Sequence, residues 1–192
     1  MSKTMVVVGV GALGSHVVQL VRNVDATIRV IDFDRVEQKN VASQFHARQS
    51  VGKSKVVGLQ QTMQFLFGTK IEGVPHKLVA ENAQQLLGNA DLVIDCLDNA
   101  ASRRTLQGFV RAASTACVHG ALAADGTFGR VVWDEDFAID EEPGEGAATC
   151  DDGNHLPFIA TTAALIAQAA VGFLETGKKV GFQVHPGGVT RI

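Results

Sequence analysis

Met5-Val6-Val7-Val8-Gly9-Val10-Gly11-Ala12-Leu13-Gly14 is a short apolar run that breaks into a glycine turn, and its surroundings decide the fold. Met5 to Val8 reads as a fully buried parallel strand. From Leu13 to Val21 the pattern changes to helical spacing, with Leu13, Val17, Leu20 and Val21 on one side. Ile28 to Ile31 supplies a second buried strand that ends in Asp32 and Asp34. Glycines at Gly9, Gly11 and Gly14 let backbone N–H groups approach a phosphate at a helix N-terminus, and an acid about 20 residues on suits ribose hydroxyls. The glycine spacing alone serves redox enzymes, nucleotide-activating enzymes and non-catalytic modules, and a plain tight turn is the alternative. The order of strand, turn, helix, strand and acid is what implies a nucleotide.

Beyond this unit the pattern keeps alternating. A polar connection from Asp34 to Gln49 leads to a helix from about Lys53 to Phe67 and a strand near Ile71 to His76. A short helix at Ala83 to Leu87, a buried strand at Asp91 to Asp95 and a helix over Asn99 to Ala113 follow. Ala116 to Leu122 and Phe128 to Trp133 read as strands separated by the turn signal Asp125-Gly126, which predicts an antiparallel pair at one edge. Asp134 to Gly153 is acidic and without periodicity, the signature of a mobile or functional loop. A long helix begins near Pro157, and Val180 to Val184 closes the sheet. The expected fold is α/β: a Rossmann-like, mostly parallel sheet with helices on both faces and an antiparallel edge, in one domain over residues 1–192.

Composition narrows the function classes. A net charge of −3 gives no electrostatic case for nucleic acid or an anionic membrane. Cys96, Cys117 and Cys150 form no C-x-x-C pair, and no secretory leader is evident, so a reducing, cytoplasmic setting is expected. Phe158 to Leu174 is interrupted by Thr161, Thr162 and Gln168, and fits a buried helix better than a spanning one of about 20 residues.

A second constellation is Asp32-x-Asp34-x-Val36, Asn40, Gln44 and Lys55, joined by Asp95-Cys96-Leu97-Asp98-Asn99 with Arg103. C-terminal strand ends share one edge of a parallel sheet, so Gly11, Asp32 and Asp98 are expected to meet in one crevice. A lysine beside phosphates and a carboxylate for Mg²⁺ are what nucleotidyl chemistry requires, because positioning and charge neutralisation lower its barrier. Each residue has a plainer reading: Lys55 as a solvated helix lysine, and Asp98-Asn99 as a helix cap.

At these residues the sequence resembles the ubiquitin-activating and ThiF/MoeB-type adenylyltransferase family, from Val6 to about Leu174. The resemblance implies ATP and Mg²⁺ as cofactors, with the turn of Gly9, Gly11, Ala12, Leu13 and Gly14 on the phosphates and Asp32, beside Asp34, on the ribose. It implies phosphate contacts at Asn40 and Lys55, a metal at Asp98, and roles in the same crevice for Gln44, Asn99 and Arg103. It further implies adenylation of the C-terminal Gly-Gly carboxylate of a small ubiquitin-like or sulfur-carrier protein, within a homodimer.

The departures from the family are specific. Ser43 stands where relatives carry an arginine, with Arg48 five residues farther on, and nothing ahead of Thr4 supplies the arginine that relatives deliver to a partner subunit. The two zinc-binding C-x-x-C pairs are absent. Cys150 falls near where some relatives carry a reactive loop cysteine, although Asp151 and Asp152 beside it oppose ionisation. An incidental loop cysteine, or a metal set of Cys150, Asp151, Asp152 and His155, are the other readings. Cys96 and Cys117 read as core residues. Three functions therefore compete: an adenylyltransferase, a non-catalytic nucleotide-binding scaffold, and an NAD-dependent oxidoreductase using Asp32.

Overall fold

The computed structural model describes residues 2–123, 125–139 and 153–192. Its centre is an eight-stranded sheet whose spatial order follows from two opposite windings out of the first strand. The elements are β1 (Lys3–Val8), α1 (Ala12–Leu20), β2 (Ala26–Ile31), α2 (Lys55–Phe67), β3 (Glu72–Val74), α3 (Ala80–Leu87) and β4 (Leu92–Asp95). They continue with α4 (Ala100–Ala113), β5 (Cys117–Leu122), β6 (Gly129–Trp133), α5 (Leu156–Thr176), β7 (Phe182–His185) and β8 (Gly188–Arg191). The strands lie in the order β3-β2-β1-β4-β5-β6-β7-β8. The first five in that order are parallel and the pairings from β5 to β8 are antiparallel.

Strand alternation sorts the core into two layers. Met5, Val7, Ile28, Val30, Leu92 and Ile94 face α1, α2 and α5, whereas Val6, Val8, Ile31 and Val93 face α3 and α4. Side chains such as Leu59, Ile166 and Leu106 are fully buried, each stabilising the fold by about 1.5–3 kcal/mol.

Two expectations need correction. The β5–β6 pair is antiparallel but interior, because β7 and β8 extend the sheet beyond it and β8 is the edge. The last strand is a hairpin partner of β7, with Pro186-Gly187 between them, and its residues are all exposed and show no alternation from which to read it. The final helix is also longer than the Phe158–Leu174 run: α5 spans 21 residues and is long and apolar enough to cross a bilayer. Here Ile159, Thr162, Ala163, Ile166, Ala170 and Leu174 are instead buried in the fold.

Candidate functional site

The register sets the ends of the central strands level. Val8 pairs with both Ile31 and Asp95, Gly9 donates its N–H to the Ile31 carbonyl at 2.8 Å, and Cys96 donates to Val8 at 2.9 Å. The glycine turn, Asp32 and the Cys96–Asp98 turn thus leave the sheet at one edge, where the winding reverses.

Each glycine of the turn has a separate steric reason. Gly9 has φ +86°, and a Cβ there would lie 2.7 Å from the Cys96 carbonyl oxygen. At Gly14 a Cβ would fall 1.8 Å from the Gly9 oxygen, so this glycine lets α1 start against the strand. Gly11 differs: the nearest atom to its Cβ position is Gln44 Nε2, at 4.0 Å. Gly11 is also the N-cap of α1, with no side-chain cap and no acid in the first turn. The helix therefore presents backbone N–H groups beside open space, as an anion site requires.

Asp32 is buried beneath this turn. One carboxylate oxygen accepts from the Val10 N–H at 2.8 Å and the other from the Asp34 N–H at 2.8 Å. Burial pushes its pKa up, and Lys55 opposes that shift. Lys55 opens α2, and its backbone N–H donates to the Asp34 carbonyl while its ammonium donates to Asp34 Oδ2 at 3.0 Å. Its side chain is only 10% exposed, which removes the solvated-lysine reading. The neighbouring Ser54 hydroxyl is buried without a partner.

The polar connection is a folded flap pinned onto the glycine turn. Asn40 is buried in a 3-10 turn, where its Oδ1 accepts from the Glu37 N–H at 2.8 Å. The Ser15 hydroxyl accepts from the Phe45 N–H at 2.9 Å, His16 meets the Ser43 carbonyl at 3.0 Å, and His46 Nε2 donates to the Val10 carbonyl at 2.8 Å. These contacts hold Gln44 over Gly11 with its Oε1 buried and unpartnered. Burial lowers the His46 pKa to about 4 and lowers that of His16. His46 is thus neutral at pH 7, a donor through Nε2 with an unpartnered Nδ1. Neither histidine was marked by the sequence, because a single histidine, in a helix as at His16 or in a polar stretch as at His46, carries no pattern. Ser43 is buried, and Arg48 lies exposed on a separate 3-10 turn.

At the other wall, Asp98 is exposed and Asn99 Nδ2 donates to it over 3.4 Å. Asn99, not Asp98, caps α4: its Oδ1 accepts from the Ser102 N–H at 2.9 Å. Arg103 turns inward, donating to the carbonyls of Leu97 and Gly120. Its guanidinium is therefore committed to holding the strand-end turn. Burial, with Asp95 alongside, pushes the Cys96 and Cys117 thiols up, in keeping with inert core cysteines. Cys150, Asp151 and Asp152 lie outside the described residues.

No group of three or more metal ligands occurs among the described residues. A single exposed carboxylate at Asp98 nevertheless fits Mg²⁺, which keeps most of its waters and binds through one or two carboxylates plus phosphate oxygens.

Comparison with known proteins matches this geometry. The ThiF family profile matches residues 1–184. The sulfur carrier protein adenylyltransferase of Thermus thermophilus is 37% identical over 103 residues, covering 52% of this chain and 38% of that protein. The SAMP-activating enzyme E1 of Haloferax volcanii is 30% identical over 128 residues, covering 64% of this chain and 46% of that protein. The chain thus spans less than half the length of these relatives. A crystal structure of E. coli MccB with ATP shares the fold at TM-score 0.76 and 16% identity, over 99% of this chain and 62% of that one. The strand-end crevice, its glycine turn and these matches agree on one assignment: this chain belongs to the ThiF family, whose relatives here include E1-like adenylyltransferases.

Proposed function

We propose that this chain adenylates a carboxylate, using ATP as substrate. The acceptor in this reading is the C-terminal Gly-Gly carboxylate of a small ubiquitin-like or sulfur-carrier protein, or of a peptide. The observation that carries the proposal is Lys55, a buried cation at the start of α2, paired with the half-exposed Asp34 on the edge that holds the open glycine turn. Burying an ammonium is costly, and it is offset only in part by the half-exposed Asp34 and, at longer range, by Asp32, whose own burial disfavours its charge. A bound polyphosphate supplies the missing negative charge.

The acceptor carboxylate attacks the α-phosphorus, an O–P bond forms to give the acyl adenylate, and the α–β bridging O–P bond breaks to release pyrophosphate. The nucleophile is already ionised, so no general base is required. The amides at the head of α1 and the Lys55 ammonium hold phosphate oxygens. Asp32, with both carboxylate oxygens already oriented, accepts from ribose hydroxyls. Asp98 would hold Mg²⁺, which when bound neutralises phosphate charge. Exposed Phe65 and Leu66 on α2 provide an apolar face that a second copy would cover in a homodimer, and the thiols of Cys96 and Cys117 suit a reducing cytoplasm.

One observation favours the non-catalytic scaffold: the flap position expected to carry an arginine holds buried Ser43, and Arg48 is exposed on another turn. Calorimetry with ATP and NAD in the presence of Mg²⁺, followed by ATP–pyrophosphate exchange with proteins ending in Gly-Gly, separates the readings. Exchange supports adenylation, ATP binding without exchange across a partner panel supports the scaffold, and NAD binding without ATP binding overturns both.

A further inference from the structure

Beneath α4 lies a buried chain of charge that the adenylation reading does not use. His119 on β5 is fully buried, with Nδ1 2.7 Å from Asp95 Oδ2 and Nε2 3.1 Å from Asp134 Oδ1. Each ring nitrogen lies within hydrogen-bond reach of a carboxylate oxygen. Asp95 is the last residue of β4, and Asp134 is the first residue beyond β6. Gln107 Nε2 and Arg111 Nε from α4 donate to Asp134 at 2.9 and 2.8 Å. Arg103 lies 3.7 Å from Asp95. Phe137 stacks on the imidazole at 4.0 Å, and Arg103 and Arg130 lie over the Phe137 ring at 5.3 and 5.0 Å.

What this chain of contacts holds is the turn that carries Asp98. Asp95 Oδ1 accepts from the Leu97 N–H at 2.9 Å, and Arg103 Nε donates to the Leu97 carbonyl at 2.9 Å. Both peptide groups of Leu97 are thus fixed by side chains tied to His119, and Asp98 is the next residue. A purely structural cross-link would need one buried pair; here two carboxylates on different elements share one imidazole, and the nearer one orients the turn.

We propose that His119 is a positioning residue for Asp98, acting through Asp95, and that it joins the Asp98 turn to the Asp134–Phe137 segment as one unit. Its link to Mg²⁺ rests on the adenylation reading; its link to the Leu97 turn does not.

The test uses the full chain with His119→Gln, which supplies an N–H donor at one end only, and Asp134→Asn, which removes charge near a partly exposed arginine and is the variant kept in reserve should the first fail to fold. Hydrogen–deuterium exchange is followed over residues 96–99, and ATP binding is measured in EDTA and across a Mg²⁺ titration. The expected result is lost protection of the Leu97 amide in both variants. The Mg²⁺ needed for half-maximal ATP binding rises about ten- to a hundredfold in His119→Gln, while affinity in EDTA stays at the wild-type value. Unchanged protection at Leu97 overturns the proposal, as does an equal loss of affinity with and without Mg²⁺. If wild-type protein binds no ATP, the adenylation reading fails and exchange at residues 96–99 alone decides: lost protection sustains the unit, and unchanged protection ends it.

Discussion

The two walls of the crevice are built on opposite principles. Around the glycine turn, between β1 and β2, the chain relies on backbone groups, a neutral histidine and one buried lysine, and it leaves donors open beside Gly11. Along β4 and β5, Asp95, His119, Asp134, Arg103 and Arg111 satisfy one another, leaving Asp98 as the exposed carboxylate at the end. The open wall suits a ligand that brings several negative charges. The closed wall suits a group that must be held still while remaining accessible. Binding and alignment are thereby assigned to different parts of the sheet edge, and substitutions on the two walls should fail in different ways.

The largest effect is expected at Asp98. Replacement by alanine should lower Mg²⁺-dependent ATP–pyrophosphate exchange on the order of 10²-fold or more, as loss of a charge-stabilising group in a nucleotidyl site does. Thermal unfolding should barely change, because the side chain is exposed and does not cap α4. Exchange at the wild-type rate would remove the closed wall from catalysis.

The open wall should reveal itself through pH. His46 has its pKa lowered from 6.5 to about 4 by burial, so the unfolded chain binds the proton more readily. Its contribution to stability is therefore complete above pH 6.5 and is lost progressively as pH falls toward 4, a total of about 3 kcal/mol. His16 shifts in the same direction and adds with the same sign. Urea unfolding at pH 7.5 and pH 5 should show the loss in wild type and a smaller loss in His46→Gln. Equal losses would mean that His46 is not the buried neutral group described here.

How far each wall was legible in the sequence follows from how local its contacts are. The open wall is written in short spacings: Gly9, Gly11 and Gly14 lie within six residues, and Asp32 ends the next strand. Periodicity change and glycine placement are local signals, and the structure brings the residues they mark to one edge of the sheet. In the connection from Asp34 to Gln49 the sequence marks Asn40 and Gln44 but not the fold that holds them, because the groups that pin it, Ser15, His16 and the Val10 carbonyl, belong to the preceding unit. On the closed wall the signal disappears. Asp95, Arg103, His119 and Asp134 are spread over four elements, and nothing in the run Cys117-Val118-His119-Gly120 distinguishes a residue that bridges two carboxylates from an ordinary strand residue. Arg103 illustrates the same limit: the resemblance implied a role for it in the crevice, and only packing shows it turned toward Leu97 and Gly120.

Lys55→Met tests whether the open wall needs charge or only bulk. Methionine keeps most of the buried stem and removes the ammonium, leaving Asp34 half-exposed and able to hydrate. ATP affinity should weaken by about 1.5–3 kcal/mol, the range for a lost charge-assisted contact. The stability of the free protein should change less, because the lysine's burial cost is relieved together with its ion pair. Calorimetry and urea unfolding on the same preparation measure both. A stability loss larger than the affinity loss would make Lys55 a packing residue and weaken the adenylation proposal at its main support.

The smallest effect separates a cap from a ligand at the boundary of the closed wall. Asn99 accepts from the Ser102 N–H, so Asn99→Ala should cost about 1 kcal/mol of stability through the start of α4. Asn99→Ser keeps a good capping oxygen on a shorter side chain and loses the amide that reaches Asp98. If Asn99 serves only α4, serine restores the unfolding midpoint and both variants bind ATP with Mg²⁺ as the wild type does. If its amide also steadies Asp98 or touches the nucleotide, serine restores stability but not affinity. The second outcome would extend the closed wall one residue further, into direct contact with the ligand.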